Sequence, residues 1–304
     1  MRNLSFVVVL ALTLAGCSSS TPVTPSPGPP AAGTHLYVGN DNAAGTILQF
    51  NLPLTAGSTS NFAIPNASNV VSLALDAAGH LAAADNAGHL AVVTALPLSG
   101  SSTSSATFTN AAAVNNGQLA FTAAGVLYAA DTGAHVYGYT PPFTNATVPS
   151  STTTAAGLTN AIGLGFDAAA NMYVGNAGAT SNILVFAPPY TGAPTVTTPA
   201  VAGTAFRKLA VTATQLFVAN VAGTGGIYVY ALPLTNASVP AFIIPDANTP
   251  EAINVDAAGN LYAGNLSTST VTVYAPPFSA ASVPATTLTV GGGSFAIFGM
   301  AIGP

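Results

Sequence analysis

VLYAAD at 126–131 has five companions in the chain: HLYVGN at 35–40, HLAAAD at 80–85, NMYVGN at 171–176, QLFVAN at 215–220 and NLYAGN at 260–265. Their starts lie 45, 46, 45, 44 and 45 residues apart. A spacing this regular identifies one supersecondary unit repeated six times. Each copy has the same parts in the same order. An apolar strand precedes the phrase, as in VVSLALD, GQLAFT, IGLGFD, RKLAVT and AINVD. A tight turn joins the two, as in Asp76-Ala-Ala-Gly79 and Asp256-Ala-Ala-Gly259, where Asp can cap and Gly can take a positive φ. A third strand follows: TILQF, LAVVTA, HVYGY, NILVF, GIYVY or TVTVY. Proline then ends it, because proline cannot donate to a ladder: LPL at 52–54, 96–98 and 232–234, PPF at 141–143 and 276–278, PPY at 188–190. A looser fourth strand completes the copy, such as ATFT at 106–109.

Four short strands in about 45 residues make one blade of a β-propeller. Such a sheet cannot bury both faces alone, and stacking around an axis buries them. The chain enters at a second strand (35–40) and ends in SFAIFGMAIGP at 294–304, which matches a first strand. The reading is therefore an all-β, six-bladed β-propeller over 35–304, closed by the C-terminal strand pairing into the N-terminal blade. One row of the first strands is large (Leu73, Leu119, Leu164, Leu209, Ile253, Met300) and the alternate row is mostly small, as a wedge tapering to an axis requires.

The phrase D-x-x-G-N-L-Y-x-x-N at 256–265, followed by strands of the type I-x-V-Y at 227–230, resembles the NHL-type repeat and related bacterial propeller lipoproteins. The resemblance covers 35–304 and implies a binding or scaffolding role. The chain departs from that pattern in lacking basic residues, which argues against RNA.

The N-terminus reads as an export signal at 1–16. Arg2 supplies the positive end, and Leu4 to Leu14 form an apolar run too short to span a bilayer. Leu14-Ala15-Gly16-Cys17 resembles the bacterial lipobox, which implies cleavage before Cys17 and its lipidation. Ser18 after the cysteine resembles the outer-membrane sorting pattern of Gram-negative lipoproteins. The expected location is thus the cell envelope, anchored to a membrane through Cys17. Residues 17–34 then hold the lipidated cysteine and a tether rich in Ser, Thr and Pro that cannot bury a core. With Cys17 the only cysteine, the propeller has no internal disulfide, and a closed ring is expected to stand as a monomer.

Charge is sparse. Beyond Cys17 the only cations are Arg207 and Lys208, so no basic patch exists and nucleic-acid binding is excluded. Arg207 and the only glutamate, Glu251, fall at equivalent places in adjacent copies, with Lys208 beside Arg207. They form either an anion or polar-ligand site at the channel mouth or a structural ion pair at a blade seam. Ser72, Gln118, Lys208 and Asn254 share the row of small residues and either bind a polar ligand or hold channel water.

Asp85 with His89, and Asp131 with His135, are metal-ligand types at matching positions. Against that, both aspartates belong to a six-member Asx series with Asn40, Asn176, Asn220 and Asn265, whose side chains can cap turns. Asn69, Asn115 and Asn160 recur just before the inner strand. Six-bladed lactonases of the gluconolactonase type hold calcium with acids and amides in the channel, and these asparagines with Glu251 would be the counterparts here. No nucleophile elbow, phosphate loop or Cys/His pair is present. The expected function is a binding or scaffolding module without a resident cofactor, for a glycan, small polar ligand or envelope protein. The competing expectation is a metal-dependent lactonase, hydrolase or lyase.

Overall fold

Each recurring phrase forms the second strand of a four-stranded antiparallel sheet: His35–Gly39, Leu81–Ala84, Leu127–Asp131, Met172–Asn176, Gln215–Asn220 and Leu261–Asn265. The computed structural model describes residues 34–39, 45–65, 69–85, 88–178, 180–291 and 296–304. The export signal, Cys17, most of the tether and Asn40 lie outside the described residues. Among those described, the strands form six sheets and no helix.

The first strands of the sheets are Gly299–Gly303, Ser72–Leu75, Asn116–Phe121, Ala161–Phe166, Phe206–Val211 and Pro250–Val255, in blades one to six. They contact one another in a closed cycle and form the innermost ring. Blade one is closed by the C-terminus: Gly299–Gly303 pairs antiparallel with His35–Gly39, with Met300 opposite Val38 and Ile302 opposite Leu36. Blade four departs from the rest. Its fourth strand is only Val196–Thr197, and a short strand, Val201–Ala202, pairs with the start of Thr180–Phe186.

Apolar rows explain the ring. Each of six buried clusters spans two adjacent blades; one joins Leu36, Val38 and Phe50 of blade one to Tyr262, Val271 and Leu288 of blade six. The core thus lies between blades, and removing any blade would expose two apolar faces. Small residues let the inner strands approach. A Cβ on Gly163 would lie 2.5 Å from the Arg207 carbonyl oxygen, and one on Gly299 would lie 3.0 Å from the Ser72 backbone.

The repeated turns are capped as their residue types require. Asp167 Oδ1 accepts from the Ala169 and Asn171 amides, while its Oδ2 accepts from Asn171 Nδ2 and the Tyr173 hydroxyl. Asp256 does the same with Asn260 and Tyr262. The D-x-x-G/A-N-x-Y phrase is therefore one closed set of bonds. The proline after each third strand follows a cis peptide bond in all six copies.

Candidate functional site

The inner ring creates a local problem. Each first strand pairs on one edge only, so backbone groups on its other edge need partners. Side chains from neighbouring blades supply several. The Leu119 amide donates to Ser72 Oγ at 2.8 Å. Gln118 reaches across two blades: its Oε1 accepts from the Leu164 amide at 2.9 Å and the Leu209 amide at 2.8 Å, and its Nε2 donates to the Leu209 carbonyl at 2.8 Å. Two amides on one oxygen fix which end of the side chain is oxygen. Asn254 Nδ2 donates to the Met300 carbonyl at 2.9 Å. Three of the four polar residues read from the inner row thus bind backbone of the neighbouring inner strands.

Lys208 is the fourth, and it differs. It is only 5% exposed, yet among the described residues its ammonium donates no hydrogen bond and has no carboxylate at ion-pair distance. Burial lowers its pKa from 10.5 to about 8; Glu251 opposes that shift and Arg207 reinforces it. With Ser72, Leu73, Gln118, Ala252, Ile253, Phe298 and Met300 it lines a cavity of about 10 Å³, room for about one water molecule.

Arg207 and Glu251 sit beside it. Arg207 Nε lies 2.9 Å from Glu251 Oε2, with the Arg207 side chain 29% exposed and that of Glu251 4%. The distance makes an ion pair, but Oε2 receives no aligned hydrogen bond. The contact is therefore one of charge, and burial raises the Glu251 pKa despite both cations. Arg207 is the wetter partner, and Glu251 and Lys208 are buried.

β-Bulges bring these side chains together. The pairing of the first two strands slips between Asn116 and Leu119, between Ala161 and Gly163, between Phe206 and Leu209, and between Pro250 and Ala252. Gln118, Arg207, Lys208 and Glu251 all fall in these irregular steps, and a bulge re-aims the side chains it carries. The strand pattern in the sequence does not disclose the slips, because pairing with the second strand sets them.

The remaining sequence candidates lie elsewhere. Asp85 Oδ2 is 2.7 Å from His89 Nδ1, and Asp131 Oδ2 is 3.4 Å from His135 Nδ1, so each histidine stays with its own aspartate. No group of three or more His, Cys, Asp or Glu side chains converges among the described residues. Asp131 Oδ1 accepts from the Val114 and Asn115 amides, Asn176 Oδ1 from those of Thr159 and Asn160, and Asn220 Oδ1 from that of Ala205. Acid and amide do the same work there, capping the turn into the inner strand. Asn115 and Asn160 take part through their backbones, and Asn69 takes a left-handed backbone with φ of 59°. None of these three asparagines lines the Lys208 cavity.

No family model matches the chain, and no curated protein matches it in sequence. Solved structures do match in fold. The β-propeller domain of Cps50 (Swd1) from Myceliophteria thermophila superposes with a TM-score of 0.58 at 12% identity, over 84% of this chain and 82% of that one. A chain of a mitotic checkpoint complex gives 0.56 at 13% identity, over 76% of this chain and 68% of that one. At such identities the likeness is one of fold. The chain is a six-bladed β-propeller.

Proposed function

We propose that the protein is a lipid-anchored envelope module that holds a polar ligand or partner at the channel mouth beside Arg207, Lys208 and Glu251. The carrying observation is the concentration of charge. Every cation after residue 2 and the sole glutamate meet at one end of the inner ring, on a molecule whose other recurring polar residues cap turns and strand edges. Buried, closely spaced ionisable groups at a mouth are what a ligand site needs and a turn does not. The fold agrees with a docking role, and one similar propeller stands in a mitotic checkpoint complex. The membrane anchor is the lipid expected on Cys17, with the outer membrane as its home if the cell is Gram-negative. An NHL-type ancestry fits the repeat phrase and implies the same kind of role.

The test is a thermal-shift screen of neutral and acidic glycans, lactones, and calcium, magnesium and zinc salts. A glycan or lactone that raises the melting temperature of the wild type, but not of Arg207→Gln, supports the reading. A shift from a divalent ion alone, lost in Glu251→Gln, replaces it with metal-dependent hydrolysis. For the anchor, Cys17→Ser is expected to leave the membrane fraction; retention there contradicts it.

A further inference from the structure

The cavity behind the mouth is lined by hydrogen-bond donors with hydrogens to spare. Ser72 Oγ accepts from the Leu119 amide, and among the described residues its own hydroxyl hydrogen has no acceptor. Gln118 Nε2 has two hydrogens, and only one is taken, by the Leu209 carbonyl. The Lys208 ammonium has three, none taken among the described residues. No acidic side chain lines this space, and the rest of its wall is Leu73, Ala252, Ile253, Phe298 and Met300.

Charge points the same way. Arg207, Lys208 and Glu251 sum to one positive charge when all are ionised. Glu251 faces both cations, Arg207 Nε at 2.9 Å and Lys208 through space, so the cluster keeps one surplus positive charge, with Lys208 as its buried cation. Burying surplus charge is costly, and an anion in contact lowers that cost. Size limits the anion. A space of about 10 Å³ matches a monoatomic ion or one water.

We propose that Ser72, Gln118 and Lys208 form an internal site for a single halide ion at the channel axis. The site rests on the reading of this end of the channel as the binding end, since it shares Lys208 with the mouth. Its occupant is independent of the outer ligand. Bound there, the ion neutralises Lys208 and ties blades two, three and five through one centre.

The purified full chain is melted in sodium chloride or sodium bromide, and in sodium gluconate at matched ionic strength, since gluconate is too large to enter. The wild type is expected to gain a saturable rise of about 5 °C at a hundredfold excess of halide over Kd. Lys208→Met, which keeps the length of the side chain and removes its charge, is expected to melt alike in all three salts. Equal melting of the wild type in halide and gluconate overturns the site, as does a halide shift that persists in Lys208→Met. If that variant does not fold, bromide anomalous diffraction from wild-type crystals decides: a peak against Lys208 Nζ supports the site, and water alone there overturns it. Arg207→Gln separates the two readings. It is expected to lose an outer glycan or lactone and keep the halide shift.

Discussion

Two buried residues show how a repeated fold handles polar groups that the repeat does not fully serve. Tyr139, Tyr230 and Tyr274 end the third strands of blades three, five and six. Tyr274 donates to Asp246 Oδ2 at 2.9 Å, and the Asn110 side chain lies beside Tyr139, its Nδ2 without an aligned hydrogen bond among the described residues. Both partners lie just after the fourth strand of the preceding blade. Blade four carries Thr198-Pro199 at that place, and the Tyr230 hydroxyl is buried without a hydrogen-bond partner among the described residues. Tyr230→Phe is therefore expected to raise stability by about 1 kcal/mol, read as a higher urea midpoint at unchanged slope. A loss of that size would mean that the hydroxyl is bonded.

Lys208 is the second. Its folded pKa is about 8 against 10.5 for the free side chain, so between those values the unfolded chain binds more protons and stability rises with pH. The gap corresponds to a penalty on the order of 3 kcal/mol below pH 8. Buried tyrosines act oppositely above pH 10, since burial raises their folded values, to about 12 for Tyr139 and Tyr190. Glu251, raised from 4.5, costs stability as pH climbs from that value, a window that opens on the acid side. In halide-free buffer, stability is thus expected to climb between pH 8 and 10 and then fall. Lys208→Met is expected to lose the climb. A wild-type curve flat over that interval contradicts the buried amine.

At the scale of the strand, edges are the recurring difficulty, and side chains from the next blade answer it. On the outer rim, Asn145 Oδ1 accepts from the Thr107 amide and Asn236 Oδ1 from that of Thr197, each at 2.9 Å across a blade boundary. On the inner rim, Gln118 takes three backbone groups of blades four and five. Gln118→Leu leaves two amides and a carbonyl without partners and is expected to cost about 3 kcal/mol by chemical denaturation. A change below about 0.5 kcal/mol would mean that water replaces the side chain fully.

These contacts also mark where sequence reading stops. The strands, their order, the capped turns and the closing pair follow from local spacing, because period-two alternation and turn residues act over a few positions. The roles of Ser72, Gln118 and Asn254 do not. They depend on which neighbour's backbone lies opposite, and on bulges that pairing alone reveals. Ser72, Gln118 and Asn254 bond the backbone of neighbouring inner strands, and Lys208 stands apart by lacking such a bond among the described residues.

For the molecule as a whole, the ring uses nearly every repeated residue for folding. Tyrosine and aspartate close the turns, leucine and valine fill six seams, and glycine lets the inner strands meet. Charge gathers in the copies that break the repeat, at the starts of the inner strands in blades five and six. The most direct measurement is the map of backbone chemical-shift changes when the glycan or lactone giving the largest thermal shift is added to the isotopically labelled protein. Changes centred on Arg207, Lys208, Glu251 and the turns entering their strands are the expected result. Changes centred on the outer turns that carry Asn145 and Asn236, with the channel end silent, would contradict the account.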